Sequence, residues 1–155
     1  MLREASRVND EALVAVAHKV EEAIWNLEGK TVAIFGLAFK AGTDDVRGAP
    51  AIALASRLMA EGARVVAYDP MVLQATGDDE EPIELVSDPY AAATGAACMV
   101  VCTEWPEFRE LDLARLKGVM TQPSIVDGRN LLDAQALTEA GFSYHPVGRA
   151  PIDLE

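Results

Sequence analysis

Lys40, Arg47 and Arg129 stand where positive charge can be turned into binding. Lys40 follows Gly36-Leu37-Ala38-Phe39 at the mouth of an apolar run from Thr31 to Phe35, and Arg47 closes Thr43-Asp44-Asp45-Val46 just before a helix that opens near Pro50. A strand, a loop bearing cations and then a helix N-terminus can hold phosphate at the open end of a parallel sheet. Asp127-Gly128-Arg129-Asn130 ends a later apolar run and brings another cation to the same edge, so that Lys40 and Arg129 converge on one anion. An ammonium on a flexible stem suits a diphosphate or a sugar carboxylate, while a guanidinium fork grips phosphate in two places. Plainer readings stand beside these: Lys40 as a surface lysine paired to Asp44 or Asp45, and Arg47 as half of an Asp-Arg clamp that only shapes its loop.

The loop after Phe35 is not the usual dinucleotide fingerprint, because Ala38 replaces the second glycine of G-x-G-x-x-G. Asp69 ends the second apolar run, where a dinucleotide fold keeps its ribose-binding acid. Without the matching glycine, Asp69-Pro70 reads as a turn. Phe39 and Trp105 can shield a base or a sugar, or pack at strand ends, and packing is favoured for Trp105. Glu104 can orient a basic residue or cap the following turn. Asp127 and Asn130 can fix their loop through side-chain to backbone bonds, with Gly128 allowing a tight turn. Cys98 and Cys102 read as small buried apolar residues, since His18 and His145 are remote from them in the chain and the set forms no zinc pattern.

These residues need a sheet to carry them. Strands are expected at 31–36, 64–68, 97–102, 124–127 and 142–147, with helices at 50–61, 88–94, 111–117 and 132–140. Continuous apolar strands such as Met99-Val100-Val101 suit a sheet covered on both faces, in strand order 3-2-1-4-5. The fold class is therefore α/β: a Rossmann-like three-layer sandwich on a mostly parallel five- to six-stranded sheet. An amphipathic helix precedes it, with Leu13, Val16, Val20, Ile24 and Leu27 at helical spacing; it can cover the sheet, dimerise, or be the tail of a longer helix. Gly77-Asp78-Asp79-Glu80-Glu81-Pro82 reads as an acidic solvent loop.

At 155 residues the chain has room for one domain with a sizeable core. Its net charge of -12 argues against general affinity for nucleic acid or anionic membranes. No run approaches the roughly 20 apolar residues of a membrane helix, and the first residues carry no secretory h-region, so a cytoplasmic location is expected.

Three stretches together resemble the carboxyl-terminal, UDP-sugar-binding domain of the UDP-glucose/GDP-mannose dehydrogenase family: Gly36 to Lys40 with Thr43 to Arg47, Thr103 to Arg109, and Asp127 to Asn130 with Gly148-Arg149. The second and third read more like the UDP-glucose branch than the GDP-mannose branch. The resemblance implies that residues 1–28, including Asn9 and the helix around Val16, are the end of a central dimerisation region, and that residues 29–155 are the Rossmann-like UDP-sugar-binding domain. It implies substrate contacts from Phe39, Lys40 and Arg129, and a place for Arg47 beside the NAD site. The partners implied are UDP-glucose or a related nucleotide sugar, an amino-terminal NAD-binding domain and, for the full-length enzyme, a second copy.

The reaction implied for that enzyme is oxidation of the sugar C6 alcohol to the carboxylate, with two NAD consumed and a cysteine carrying the intermediate. This chain has neither the glycine-rich NAD fingerprint nor the family's glycine-flanked catalytic cysteine, so no catalytic residue and no metal ligand is assigned within it. The expected function is a UDP-binding domain of a UDP-glucose 6-dehydrogenase, inactive alone. The alternatives are a GDP-mannose or UDP-N-acetylmannosamine dehydrogenase domain, or a stand-alone binding or assembly module.

Overall fold

The structure, a computed structural model, describes residues 2–77 and 81–152, with side chains described from Leu13 onward. Asp78, Asp79 and Glu80 of the expected acidic loop, and the side chain of Asn9, lie outside the described residues.

The apolar runs expected as strands form β1 (Thr31–Phe35), β2 (Arg64–Tyr68), β4 (Ala96–Val101) and β5 (Ser124–Asp127), joined by the less apolar β3 (Glu84–Leu85) and β6 (Ser143–Pro146). They form one sheet in the order β3-β2-β1-β4-β5-β6, with every neighbouring pair parallel. The expected order is corrected in one respect. It put the strand near residue 100 outside β2 and the strand near residue 125 beside β1; instead β4 lies against β1, and β3 fills the place outside β2. A two-residue strand carries no apolar pattern of its own, and overlooking it shifts every later strand by one place.

Helices cover both faces. α1 (Leu2–Ala23) and α2 (Pro50–Ala60) share one face, where Ala17, Val20, Ile24 and Leu27 join Leu54, Leu58, Val32, Val65 and Val100 in one buried cluster. Of the roles open to the leading helix, covering the sheet is the one observed. α3 (Pro89–Ala93), α4 (Leu113–Val119) and α5 (Ala134–Glu139) bury the other face around Phe35, Phe108, Phe142 and Tyr144. The short helices start on aspartate caps: Asp88 accepts from the Tyr90 N–H, Asp112 from Arg115, and Asp133 from Gln135 and Ala136. Among the described residues, no helix is long and apolar enough to cross a membrane.

Candidate functional site

The carboxyl ends of β1, β4 and β5 meet the N-terminus of α2, as at the switch point of an open α/β sheet where ligands bind. There a cavity of about 220 Å³ is lined by Phe39 and Lys40 after β1, Pro50, Ala51 and Leu54 of α2, Cys102 after β4, and Gly128 and Arg129 after β5. Leu13 and Val16 of α1 complete its wall. Lys40 and Arg129 thus converge as expected, though across β4 rather than from adjacent strands. Two larger cavities, of about 440 and 690 Å³, lie on the β2–β3 side without a cation in their lining, and one of about 230 Å³ beside α5 has Arg109 as its only lining cation, with Asp133 also in the lining.

The loop carrying Phe39 and Lys40 is held by many bonds. Gly36, at φ 95°, lets the chain leave β1 so close to Thr103 that a Cβ would stand 2.4 Å from the Thr103 Cβ. Leu37 and Ala38 donate their N–H groups to Asp69 Oδ2 at 2.8 and 3.0 Å, and Thr103 Oγ1 donates to the Ala38 carbonyl at 2.9 Å. The Phe39 N–H then donates to the Asp45 carbonyl at 2.8 Å. From this base Phe39, 51% exposed, and the exposed Lys40 stand at the cavity. Lys40 makes no ion pair among the described residues, so its pairing with Asp44 or Asp45 is absent and its charge faces the cavity and solvent.

Arg47 is placed differently. Its Nε and Nη2 each donate to the Asp45 carboxylate at 3.0 Å, and its backbone N–H does so too, which holds Asp45 down to about 2. The guanidinium is 90% exposed and is not part of the cavity lining. The clamp is real, yet it leaves one edge of the fork open to solvent.

Arg129 rises from a loop anchored by Asp127, which is fully buried. Asp127 Oδ1 accepts from the Arg129 N–H at 3.0 Å, and Oδ2 accepts from the Leu132 N–H and the Tyr144 hydroxyl, both at 2.8 Å. Burial first, and then this carboxylate, push the Tyr144 phenol well above its ordinary range. Asn130 closes the loop with a bond from Nδ2 to the Val147 carbonyl at 3.1 Å, and it is Asn130, at φ 51°, that takes the left-handed turn. Gly128 is needed for a different reason: a Cβ there would lie 2.8 Å from the Val101 carbonyl and 3.2 Å from Val16 Cγ2. The Arg129 head meets Glu104 Oε1 at 2.7 Å, so of the two roles open to Glu104, orienting a base is the one observed. Both partners are about half exposed, which limits such a pair to under about 1 kcal/mol and leaves Arg129 free to exchange it for a ligand.

Four residues contribute in ways the sequence reading did not assign. Asp69, 5% exposed, does make the turn expected of it, with Oδ1 accepting from Met71 and Val72, but Oδ2 reaches the β1 loop and, at 3.3 Å, the Trp105 indole N–H. A turn without its second glycine leaves backbone donors that need an acceptor, and an acid ending the neighbouring strand is the signal that was available. Thr103 gave no such signal. Leu13 and Val16 looked like ordinary core positions of an amphipathic helix.

Burial pushes both thiols up to about 12, and the nearby Arg129 charge only partly opposes this at Cys102. A nucleophilic role suits neither. At pH 8, alkylation of both cysteines in the folded chain is expected to be at least about tenfold slower than in urea. Labelling followed by mass spectrometry checks this; fast labelling of folded Cys102 would reopen it as a reactive thiol. Among the described residues, no group of three or more His, Cys, Asp or Glu is placed to hold a metal ion.

Residues 33–134 match the family described as "UDP-glucose/GDP-mannose dehydrogenase family, UDP binding domain". The chain is 37% identical over 145 residues to UDP-glucose 6-dehydrogenase TuaD of Bacillus subtilis, covering 93% of this chain and 32% of that protein. Among solved structures it is similar to a UDP-glucose dehydrogenase from Pyrobaculum islandicum, with TM-score 0.72 and 32% identity over 93% of this chain and 31% of that one. It is also similar to an NDP-N-acetyl-D-galactosaminuronic acid dehydrogenase from Methanosarcina mazei, with TM-score 0.77 and 25% identity over 93% of this chain and 30% of that one. The chain spans 28–36% of the length of the curated relatives it matches.

Proposed function

Because this chain belongs to the UDP-glucose/GDP-mannose dehydrogenase family, we propose that it is the nucleotide-sugar-binding part of an NAD-dependent dehydrogenase that oxidises UDP-glucose to UDP-glucuronate. The observation that carries this reading is the convergence of Lys40 and Arg129, with Phe39, at the N-terminus of α2. Two cations beside a helix N-terminus match the charge of a diphosphate, and the exposed Phe39 ring offers a flat apolar face to a base or sugar. UDP-glucose is preferred over N-acetylated sugars because identity is higher to relatives named for UDP-glucose.

In this reading residues 29–155 form the UDP-sugar-binding domain, and residues 1–28 end a central region through which the full-length enzyme dimerises in the cytoplasm. A cavity of about 220 Å³ falls below the roughly 300–1,000 Å³ of a complete small-molecule site, which supports a composite site with a second wall supplied elsewhere. The β1 turn does not fit a dinucleotide, since the Leu37 and Ala38 N–H groups are already given to Asp69. NAD, the hydride acceptor when bound, is accordingly placed mainly outside this chain, with the open edge of Arg47 beside it.

What this chain contributes is alignment. Lys40 and Arg129 neutralise the diphosphate, the rigid loops fix its position, and the sugar is presented to groups held by the rest of the protein. With wild-type chain, calorimetry is expected to detect UDP and UDP-glucose more readily than GDP-mannose, and NAD least of all. Absorbance should show no sustained NADH formation from UDP-glucose and NAD. Tight NAD binding without a UDP response would instead favour an ordinary dinucleotide-binding module, and turnover by the chain alone would overturn the alignment role.

A further inference from the structure

We infer that Asp69 is a positioning residue of the nucleotide site: its buried carboxylate ties together the loops that follow β1, β2 and β4, and so aims Phe39 and Lys40 into the cavity. The inference rests on the reading of that cavity as the UDP-sugar site.

The two carboxylate oxygens have separate work. Oδ1 accepts from the Met71 and Val72 N–H groups at 2.9 and 3.2 Å, which is all that a local turn after β2 requires. Oδ2 accepts from three donors that the turn does not need: the Leu37 and Ala38 N–H groups at 2.8 and 3.0 Å, and the Trp105 indole N–H at 3.3 Å. Asp69 is 5% exposed, so these donors have little access to water if the carboxylate is lost. Two successive backbone N–H groups turned toward one point are what a dinucleotide turn offers to a pyrophosphate, and here the chain fills that point with its own anion.

Phe39 begins where this anchorage ends. Ala38 is gripped on both sides, by Asp69 at its N–H and by Thr103 Oγ1 at its carbonyl, so the direction in which the chain enters Phe39 and Lys40 is set by these bonds. Arg129 rises from a separate loop anchored by Asp127 and meets this network only through Glu104, its partly exposed partner between Thr103 and Trp105, a link that Arg129→Ala removes. This separation yields a test that a purely structural role would not pass.

Asp69→Asn keeps an oxygen for the turn but sets an amide NH2 against at least some of the donors that Oδ2 now satisfies. UDP is titrated by calorimetry into the unsubstituted chain, Asp69→Asn, Lys40→Ala, Arg129→Ala and the two double variants that include Asp69→Asn, below the melting transition of each. Asp69→Asn is expected to weaken UDP about tenfold in the unsubstituted and Arg129→Ala backgrounds, but only about threefold in Lys40→Ala, where only the share that runs through Phe39 remains. Should Asp69→Asn fail to fold, Trp105→Phe removes one Oδ2 donor while keeping a ring, and it is expected to weaken UDP about threefold. Equal losses in the Lys40→Ala and Arg129→Ala backgrounds, or wild-type affinity in either folded variant, would overturn the positioning role while leaving the site reading intact. Absence of UDP binding by the unsubstituted chain would sink the site reading and this inference together.

Discussion

Gly36→Ala is expected to lower the melting temperature by about 10 °C and to abolish UDP binding in whatever fraction stays folded. The new methyl carbon would start 2.4 Å from Thr103 Cβ and 2.8 Å from the Thr103 backbone N, in a backbone conformation, φ 95°, that side chains rarely adopt. The left-handed conformation costs about 1–2 kcal/mol and overpacking about 1–3 more, so about 3 kcal/mol is a moderate sum. That is a large part of the 5–15 kcal/mol that holds a typical domain together, and it converts to about 10 °C for a chain of this size. Gly42→Ala is the control: its φ is 89° but no atom lies within 4 Å of a Cβ, so only the backbone cost applies. Thermal melts of both variants decide the matter. If the two fall equally, the close approach of the β1 loop to Thr103 is not what selects glycine at position 36.

Arg129→Ala is expected to weaken UDP-glucose about thirtyfold with little loss of stability. The side chain is about half exposed and its partner Glu104 stays hydrated when released, so folding loses less than about 1 kcal/mol. Loss of a charged hydrogen bond to a diphosphate costs about 2 kcal/mol, equivalent to the thirtyfold change. Arg129→Lys should fall between, since the charge survives but the fork does not. Calorimetry beside circular dichroism separates binding from misfolding. Wild-type affinity in Arg129→Ala would remove the residue from the site.

The layers of this fold were legible because β1, β2 and β4 are written as short, almost purely apolar runs, and because Leu13 to Leu27 repeats at helical spacing. Topology was not fully legible, since Glu84–Leu85 is recruited by an existing edge rather than by its own residues. That Lys40 and Arg129 would share one edge of the sheet was legible from loop position and charge. The cross-loop bonds of Asp69 were not, because they reach a partner 32 residues away, and only the crossing of the β1 and β2 loops brings the Leu37 N–H to the carboxylate. Glu104 stayed ambiguous for a similar reason: its distance to Arg129 is set by the parallel pairing of β4 with β5, which single-sequence patterns do not encode.

Val16 rests its Cγ2 where a Gly128 side chain would have to go, and with Leu13 it closes the cavity wall. The cavity proposed for the nucleotide is therefore not portable as a β1-to-β6 unit. Grafting residues 29–152 onto another scaffold would carry every charged group assigned to the ligand, yet leave the pocket open on one flank and strip Val20, Ile24 and Leu27 from the sheet they cover. A transplant that is to keep its shape must begin upstream, with the helix that sequence order alone would assign to a different part of the molecule.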